Sequence, residues 1–476
     1  MPPTRPIRAP GLRAAPFSAV GLGLAGLVLL AAAPSGSPRL EFRPEGVGEA
    51  PFTPCIIPPA PKKAAAKEEP TPETYPSAWA RFDLAPDAPN SGLAPELLKK
   101  IRDPLDLGAL PDQPLHGAPA DVARVRAVFA NAKSKVQRIA LWGDSHTGVE
   151  RLQPPLRHLL QGRYGNAGVG YVMAGGVGKL NQVGQVHLCE QGVWKLASVA
   201  GKTPGPLGPA GFASTASTPD ARLWIDIQDE PHGDGRMRAS VLYFQGPEGG
   251  SFRVEVDRAA PIVVSTRGVS TPATAVFDLT RANHRLALAP AGDGAVRLAG
   301  FSVERDAPGE GGVVIDGLGA GNRPFSAWNQ WDMASMTTWV ASRPYDLWIL
   351  VAGSADARND GLTEEKFRTN LRESLTRVRS LGPEVACVVV GPGDRAVHLG
   401  DQRYVLWESH PWVNRVVQEE GSKAGCATWD LQAQMGGLGA SAAWYQSGLM
   451  SADFTHLTAE GYQEVARRLV QQIDPR

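Results

Sequence analysis

The stretch Trp142-Gly143-Asp144-Ser145-His146 follows directly on the apolar run Ile139-Ala140-Leu141. An apolar run that stops at a glycine and continues with polar turn residues predicts a buried strand, Val136 to Trp142, ending in a tight turn. It puts a serine at the carboxyl end of that strand, where open α/β sheets build their sites. Far downstream, Asp453-Phe454-Thr455-His456 precedes Thr458, a good N-cap, and a helix with Tyr462, Val465, Leu469 and Ile473 on its inward side. A serine at one end of the chain and Asp-x-x-His at the other constrain the fold to one that brings the two ends together.

The pattern between them fits. A helix with Val122, Val125, Ala127 and Val128 leads into the first strand. Leu156, Leu159 and Leu160 mark a helix after Ser145, followed by a glycine-rich bend from Tyr164 to Gly170. That bend has no lysine and no closing Ser/Thr, so it is not a phosphate loop. Val313-Val314-Ile315, Asp346 to Val351, Val385 to Val390 and Cys426 to Leu431 read as further strands. Helices from Thr363, with Phe367, Leu371, Leu375 and Val378 on one stripe, and around Val413 to Lys423 alternate with them. Five strands joined by helices predict a doubly wound parallel sheet.

From 181 to 310 the period changes from helical to alternating. Phe252, Val254 and Val256 face one way and Arg253, Glu255 and Asp257 the other. Leu286 and Leu288, Val296 and Leu298, and Phe301 and Val303 repeat the alternation. Turns at Pro247-Glu248-Gly249-Gly250 and Gly292-Asp293-Gly294 separate the runs. Short alternating strands between two α/β blocks predict an inserted β-sandwich. Trp194, Trp224, Tyr243 and Phe244 there are either core residues or a stacking platform for sugar rings.

The 476 residues carry a formal net charge of +0, so no overall field recruits nucleic acid or an acidic surface. Of the four cysteines none forms a Cys-x-x-Cys pair, which argues against a structural zinc. No metal and no organic cofactor is expected. His158, His187, His232, His284, His398 and His410 lack ligand-like spacing and are read as surface or core residues. Cys387 and Cys426 lie near the starts of successive strands. They form a disulfide if those strands are neighbours, or remain two buried thiols.

The amino terminus has the pattern of an export signal: Arg5, Arg8 and Arg13, then an apolar stretch from Phe17 to Ala33. Its length leaves a cleaved signal peptide and a retained membrane anchor both open. Residues 34–115 are rich in Pro, Ala and charge, and are expected to be an extended linker. Cys55 within it is read as free or as an intermolecular partner. The expected organisation is signal or anchor 1–33, linker 34–115, a first α/β part 116–180, the inserted β-sandwich 181–310 and a second α/β part 311–476. The expected location is outside the cytoplasm: periplasmic, cell-surface or secreted.

With Gly143-Asp144-Ser145 as a first block and Asp453-x-x-His456 as a last, the chain resembles the SGNH (GDSL-type) hydrolases. Gly319, in Ile315-Asp316-Gly317-Leu318-Gly319-Ala320, falls where the second block of that family has its glycine. The inserted β block, Trp142 to His146 and Met435-Gly436-Gly437 resemble, more narrowly, the bacterial peptidoglycan O-acetylesterases, which carry a carbohydrate-binding-like β domain in the corresponding place. The resemblance implies a flavodoxin-like sheet and a serine esterase acting on acetylated polysaccharide or peptidoglycan. It implies Ser145 as nucleophile, His456 as base and Asp453 as the group that fixes the base. The backbone N–H groups of Ser145 and Gly319 become the oxyanion donors, and Asp144 a structural residue of the turn. His146, next to the nucleophile on a tight turn, is expected to point elsewhere.

The third block departs from the family's Gly-x-Asn-Asp/Glu. Here it reads Gly353-Ser354-Ala355-Asp356, with Ala355 where a side-chain amide should stabilise the oxyanion. Asn322 or Asn359 is a candidate substitute. The departure also leaves two other functions open: a catalytically degenerate glycan-binding or scaffold protein, and an O-acetyltransferase using the same serine.

Overall fold

The computed structural model describes residues 39–42, 81–83 and 96–476, apart from 97–98, 101–102, 104, 149, 177–185, 200–204, 228–235, 258, 280–284, 306–308, 322, 359–360, 399–402 and 407–408. The expected signal or anchor, Cys55, Asn322, Asn359, His232 and His284 therefore lie outside the described residues. Among the described residues no helix is long and apolar enough to cross a membrane.

Five parallel strands form the central sheet, in the order Gly312–Gly317, Val136–Trp142, Leu347–Val351, Ala386–Val390 and Ala427–Trp429. Numbered along the chain this order is 2-1-3-4-5, which is the flavodoxin-like doubly wound order expected from the resemblance. Each strand is apolar on both sides because helices cover both faces. Ile139, Leu141, Ile349 and Val351 face one core with Val125, Leu156, Leu160, Val465 and Leu469 from the covering helices. Ala140, Trp142, Trp348 and Leu350 face the other with Phe367, Leu371, Leu375, Val413 and Val417. The topological switch lies between the first and third strands, so Ser145 emerges beside the crevice that this order creates.

The inserted unit is a β-sandwich. One sheet runs Ile262–Ser265, Ser251–Val256, Arg285–Pro290, Arg222–Ile227, Val186–Gln191; the other is built on Thr271–Leu279, Met237–Gln245, Val296–Arg305, Phe212–Ala216 and Lys195–Ser198. Phe252, Val254, Leu286 and Leu288 of the first meet Val241, Tyr243, Phe277 and Phe301 of the second in one core. Tyr243 is fully buried edge-on to Phe252, Trp194 joins the same core, Phe244 packs on Trp339, and Arg285 lies over Trp224. These aromatics are core and cover residues rather than a platform for sugars.

Two boundaries differ from the sequence reading. The glycine-rich bend becomes strand Gly168–Met173, which pairs with Val296–Arg305 of the sandwich. It is buried along its whole length between the two units, so it has no alternation to betray it. The segment 34–115 is also not all spacer. Arg39–Phe42 pairs with Thr271–Leu279, and Arg81–Asp83 with Arg403–Leu406. Leu105, Leu110 and Leu115 pack on the α/β core, and Arg468 and Trp429 donate to the carbonyls of Leu107 and Gln113. A strand added to a sheet edge gains its hydrogen bonds from the sheet, so local composition does not reveal it.

Cys387 and Cys426 form a disulfide across neighbouring strands. Of the two readings that the sequence left open, the bridge is the one found.

Candidate active site

The turn after Val136–Trp142 is built on Asp144. Its carbonyl accepts from the N–H groups of Thr147 and Gly148, and its carboxylate from the N–H of His146 at 3.0 Å. Asp144 is buried, as a structural residue of the turn should be. Gly143 is required by space: a Cβ there would lie 2.7 Å from Thr147 Oγ1 and 2.9 Å from Val351 Cβ. Gly319 is required for the same reason, since its Cβ would meet Thr147 Oγ1 at 2.2 Å and Gly148 N at 2.4 Å. The Gly319 segment thus lies against the back of the turn that carries Ser145. Ala320 N donates to Gly143 O and Leu318 N to Leu141 O, which leaves the Gly319 N–H on the other edge of this extended segment.

At the far end of the chain, Asp453-Phe454-Thr455-His456 folds into its own tight turn before the helix Ala459–Ile473, which Thr458 caps through Gly461 N. Phe454 has a left-handed backbone, φ 49°, and its buried ring packs on Tyr445. Such a conformation is costly for a bulky residue and persists only when packing enforces it. Here it turns the carboxylate of Asp453 back on its own segment. Asp453 Oδ1 accepts from the backbone of His456 at 2.9 Å and Oδ2 meets the ring Nδ1 at 2.6 Å.

His456 Nε2 lies 2.7 Å from Ser145 Oγ. The three residues singled out from opposite ends of the sequence are therefore one hydrogen-bonded chain. Burial pushes the Asp453 carboxyl towards neutrality, but the hydrogen bonds from the His456 ring and backbone outweigh it and hold it well below the usual carboxylate range. An ionised Asp453 fixes the proton on Nδ1 and leaves Nε2 as the acceptor for the serine hydroxyl. A groove of about 890 Å³ opens onto Asp453 and His456, with Arg151, His158, Gln463 and Arg467 in its lining. Among the described residues no cluster of His, Cys, Asp and Glu has the arrangement of a metal site.

His146 does not point away. Its Nδ1 is 2.9 Å from Tyr462 Oη, and its ring centroid is 5.3 Å from that of His456. Burial, together with the charges of His456, Arg151 and Arg395 and against that of Asp144, lowers it to about 4. Sequence reasoning missed this contact and its partner Tyr462. The available signal was a tyrosine on the inward stripe of the last helix, because a buried hydroxyl demands a partner. In the third block Asp356 is buried, accepts from Phe325 N at 2.9 Å, and is pushed up to about 7 by burial with a smaller contribution from Asp144.

The fold and this constellation define an α/β domain with a Ser–His–Asp chain at the switch point of its sheet. No protein-family model matches the sequence, and no curated protein does. Among solved structures, a peptidoglycan O-acetylesterase is similar over 75% of this chain and 97% of its own, with a TM-score of 0.62 and 18% identity. The resemblance to SGNH hydrolases read from the motifs thus extends to the fold. Family two carbohydrate esterases from Cellvibrio japonicus and from Clostridium thermocellum, the latter in complex with cellohexaose, match at TM-scores of 0.24 and 0.24. They are 10% and 13% identical, over 60% and 60% of this chain and 95% and 98% of theirs.

Proposed function

We propose that the chain is an exported serine esterase that removes O-acetyl groups from a cell-wall or other extracytoplasmic polysaccharide. The observation that carries this reading is the unbroken chain Ser145 Oγ–His456 Nε2, His456 Nδ1–Asp453 Oδ2 at the end of the sheet. In the reaction, Ser145 Oγ attacks the acetyl carbonyl as its proton passes to His456 Nε2. The tetrahedral oxyanion takes hydrogen bonds from the N–H of Ser145 and, after local adjustment, that of Gly319. Collapse expels the sugar oxygen, which takes the proton from His456 and leaves acetyl-Ser145. Water, deprotonated by His456, then releases acetate. The glycan as substrate is supported by the likeness to a peptidoglycan O-acetylesterase and by the sandwich beside the catalytic unit. Export is supported by the basic and apolar pattern of residues 5–33.

Ala355 favours a second reading, in which the same site binds glycan or transfers acetyl groups rather than hydrolysing them. Three measurements on the purified full chain separate the readings. Wild type is expected to label at Ser145 with a fluorophosphonate and to release acetate from acetylated glycan. Ser145→Ala is expected to lose about 10⁴-fold or more in turnover of 4-nitrophenyl acetate. Acetyl groups found on a glycan acceptor instead of free acetate indicate transfer. An unlabelled Ser145 and no turnover on either substrate refute both catalytic readings.

A further inference from the structure

In the reaction proposed above, His456 returns the Ser145 proton to the departing sugar oxygen, so the sugar half of the ester lies on the His456 side of Ser145. The groove of about 890 Å³ that opens onto His456 and Asp453 is on that side. Most of the charged groups lining it are already engaged. Asp453 holds His456, Glu150 is taken by Arg157, and Glu464 by Arg467 and Arg468. Glu460 is exposed in the first turn of the last helix. Arg151 is in none of these pairs. It is half-buried in the groove wall, and its Nη1 is buried with no hydrogen-bond partner among the described residues. Its backbone is tied to the turn that carries Ser145: Arg151 N donates to Gln153 Oε1 at 3.2 Å, and Gln153 Nε2 donates to Thr147 O.

We propose that Arg151 is a specificity residue that binds a carboxylate on the sugar half of the ester, so that the substrate is an acetylated acidic glycan rather than a neutral one. A guanidinium is a permanent cation whose planar fork of N–H donors matches the two oxygens of a carboxylate. A donor of a charged group left without an acceptor away from water is costly, and an acceptor that arrives with the substrate lifts that cost only when the right substrate is bound. A neutral sugar offers hydroxyls, which make weaker bonds to a cation than a carboxylate does. Because Arg151 and His456 line one groove, the carboxylate belongs on the acetylated ring or its neighbour. The preference among esters rests on the serine-esterase reading, whereas binding of the carboxylate does not.

Two matched pairs of acetylated substrates, given to the full chain, test it. One pair is acetylated polygalacturonate and the same polymer with its carboxyls reduced to alcohols before acetylation. The other is acetylated N-acetylmuramic acid and acetylated N-acetylglucosamine, which differ by a carboxylated ether. In at least one pair, wild type is expected to have a kcat/KM about tenfold or more higher on the acid member, and that pair identifies where the carboxylate sits. Arg151→Gln should bring the two values together, chiefly by raising KM on the acid member. Arg151→Lys, which keeps the charge without the fork, should fall between. Equal kcat/KM of the wild type within both pairs overturns the proposal, and so does an Arg151→Gln variant that loses equally on both members. Should Arg151→Gln not fold, the wild-type ratio and Arg151→Lys still decide. If the wild type neither labels at Ser145 nor turns over any of the four, the esterase reading fails. Binding of unacetylated polygalacturonate and N-acetylmuramic acid then decides this one: at least one should bind wild type about tenfold more tightly than Arg151→Gln, and equal binding of both overturns it.

Discussion

Ser145, His456 and Asp453 are joined by hydrogen bonds, and the turn that carries the last two includes a residue with a left-handed backbone. Phe454 sits in the left-handed region with its ring buried, so Asp453 can hold both the backbone and the ring of His456. The oxyanion side is less complete. In the register of the resemblance to SGNH hydrolases, Ala355 stands where an amide donor is expected, and the loss of one such donor typically costs about 10² to 10³ in turnover. Ala355→Asn is therefore expected to raise kcat on 4-nitrophenyl acetate by about tenfold or more. A variant that folds, labels at Ser145 and turns over no faster would mean that the hole is already furnished by another group. Ser145, Asp453 and His456 were legible in the sequence because their chemistry has few other uses in that arrangement. His146 was not, because the direction of a side chain on a tight turn depends on what the last helix brings to it. Gly319 was legible as a glycine of the second block, but the reason it must be glycine, its contact with Thr147 and Gly148, is a matter of packing between distant segments.

At the scale of elements, the strands of the central sheet were legible to within a residue or two, as with Val136–Trp142 and Ala386–Val390. Their apolar runs are long, and glycine or a cap ends each one. What could not be read were elements whose stability is borrowed. Arg39–Phe42 and Arg81–Asp83 are strands only because an edge accepts them, and Gly168–Met173 is buried on all sides by two different units. The disulfide lies between these cases: the cysteines were visible, but their pairing waited on strand order. Cys387–Cys426 closes a sequence separation of 39 between the last two strands of the sheet. A bridge over a loop of that length stabilises by about 3 to 4 kcal/mol, chiefly by restricting the unfolded chain. The double variant Cys387→Ala/Cys426→Ala should be less stable by that amount, read as a lower denaturant midpoint. On the serine-esterase reading its Ser145 labelling should persist below the transition, since the bridge lies at the sheet strands away from Ser145, Asp453 and His456. Equal midpoints for the bridged protein and the double variant would show that the bridge adds no stability.

The whole molecule raises a different question: how a sandwich inserted after helix Gln153–Tyr164 is held still against the parallel sheet. Four charges, buried Asp316 and half-buried Arg138, Glu304 and Arg343, answer it. Glu304, on sandwich strand Val296–Arg305, accepts from Arg138 at 2.7 Å, on strand Val136–Trp142, and pairs with Arg343, which follows helix Met333–Ser342. Arg343 also pairs with Asp316, which in turn accepts from Tyr345 Oη at 2.7 Å and from Tyr171 N at 2.8 Å on the strand shared by both units. Removing Asp316, the fully buried member, strands Arg343 in a poorly hydrated place, at about 3 to 5 kcal/mol. Burial alone would raise Glu304, but Arg343 and Arg138 overcome it and bring it down to about 2, against an ordinary value of 4.5. A carboxyl depressed on folding contributes stability that is complete above its unfolded value and is lost as the pH falls towards its folded one. The window here runs from 4.5 down to about 2. Glu304→Gln should thus be less stable than wild type at neutral pH, and its melting temperature should fall less between about pH 6 and pH 3, because the charge that titrates in that range is gone. Parallel melting curves over that range, displaced by a constant amount, would show that the acid sensitivity of the molecule lies elsewhere, and coincident curves would show that Glu304 does not stabilise the fold.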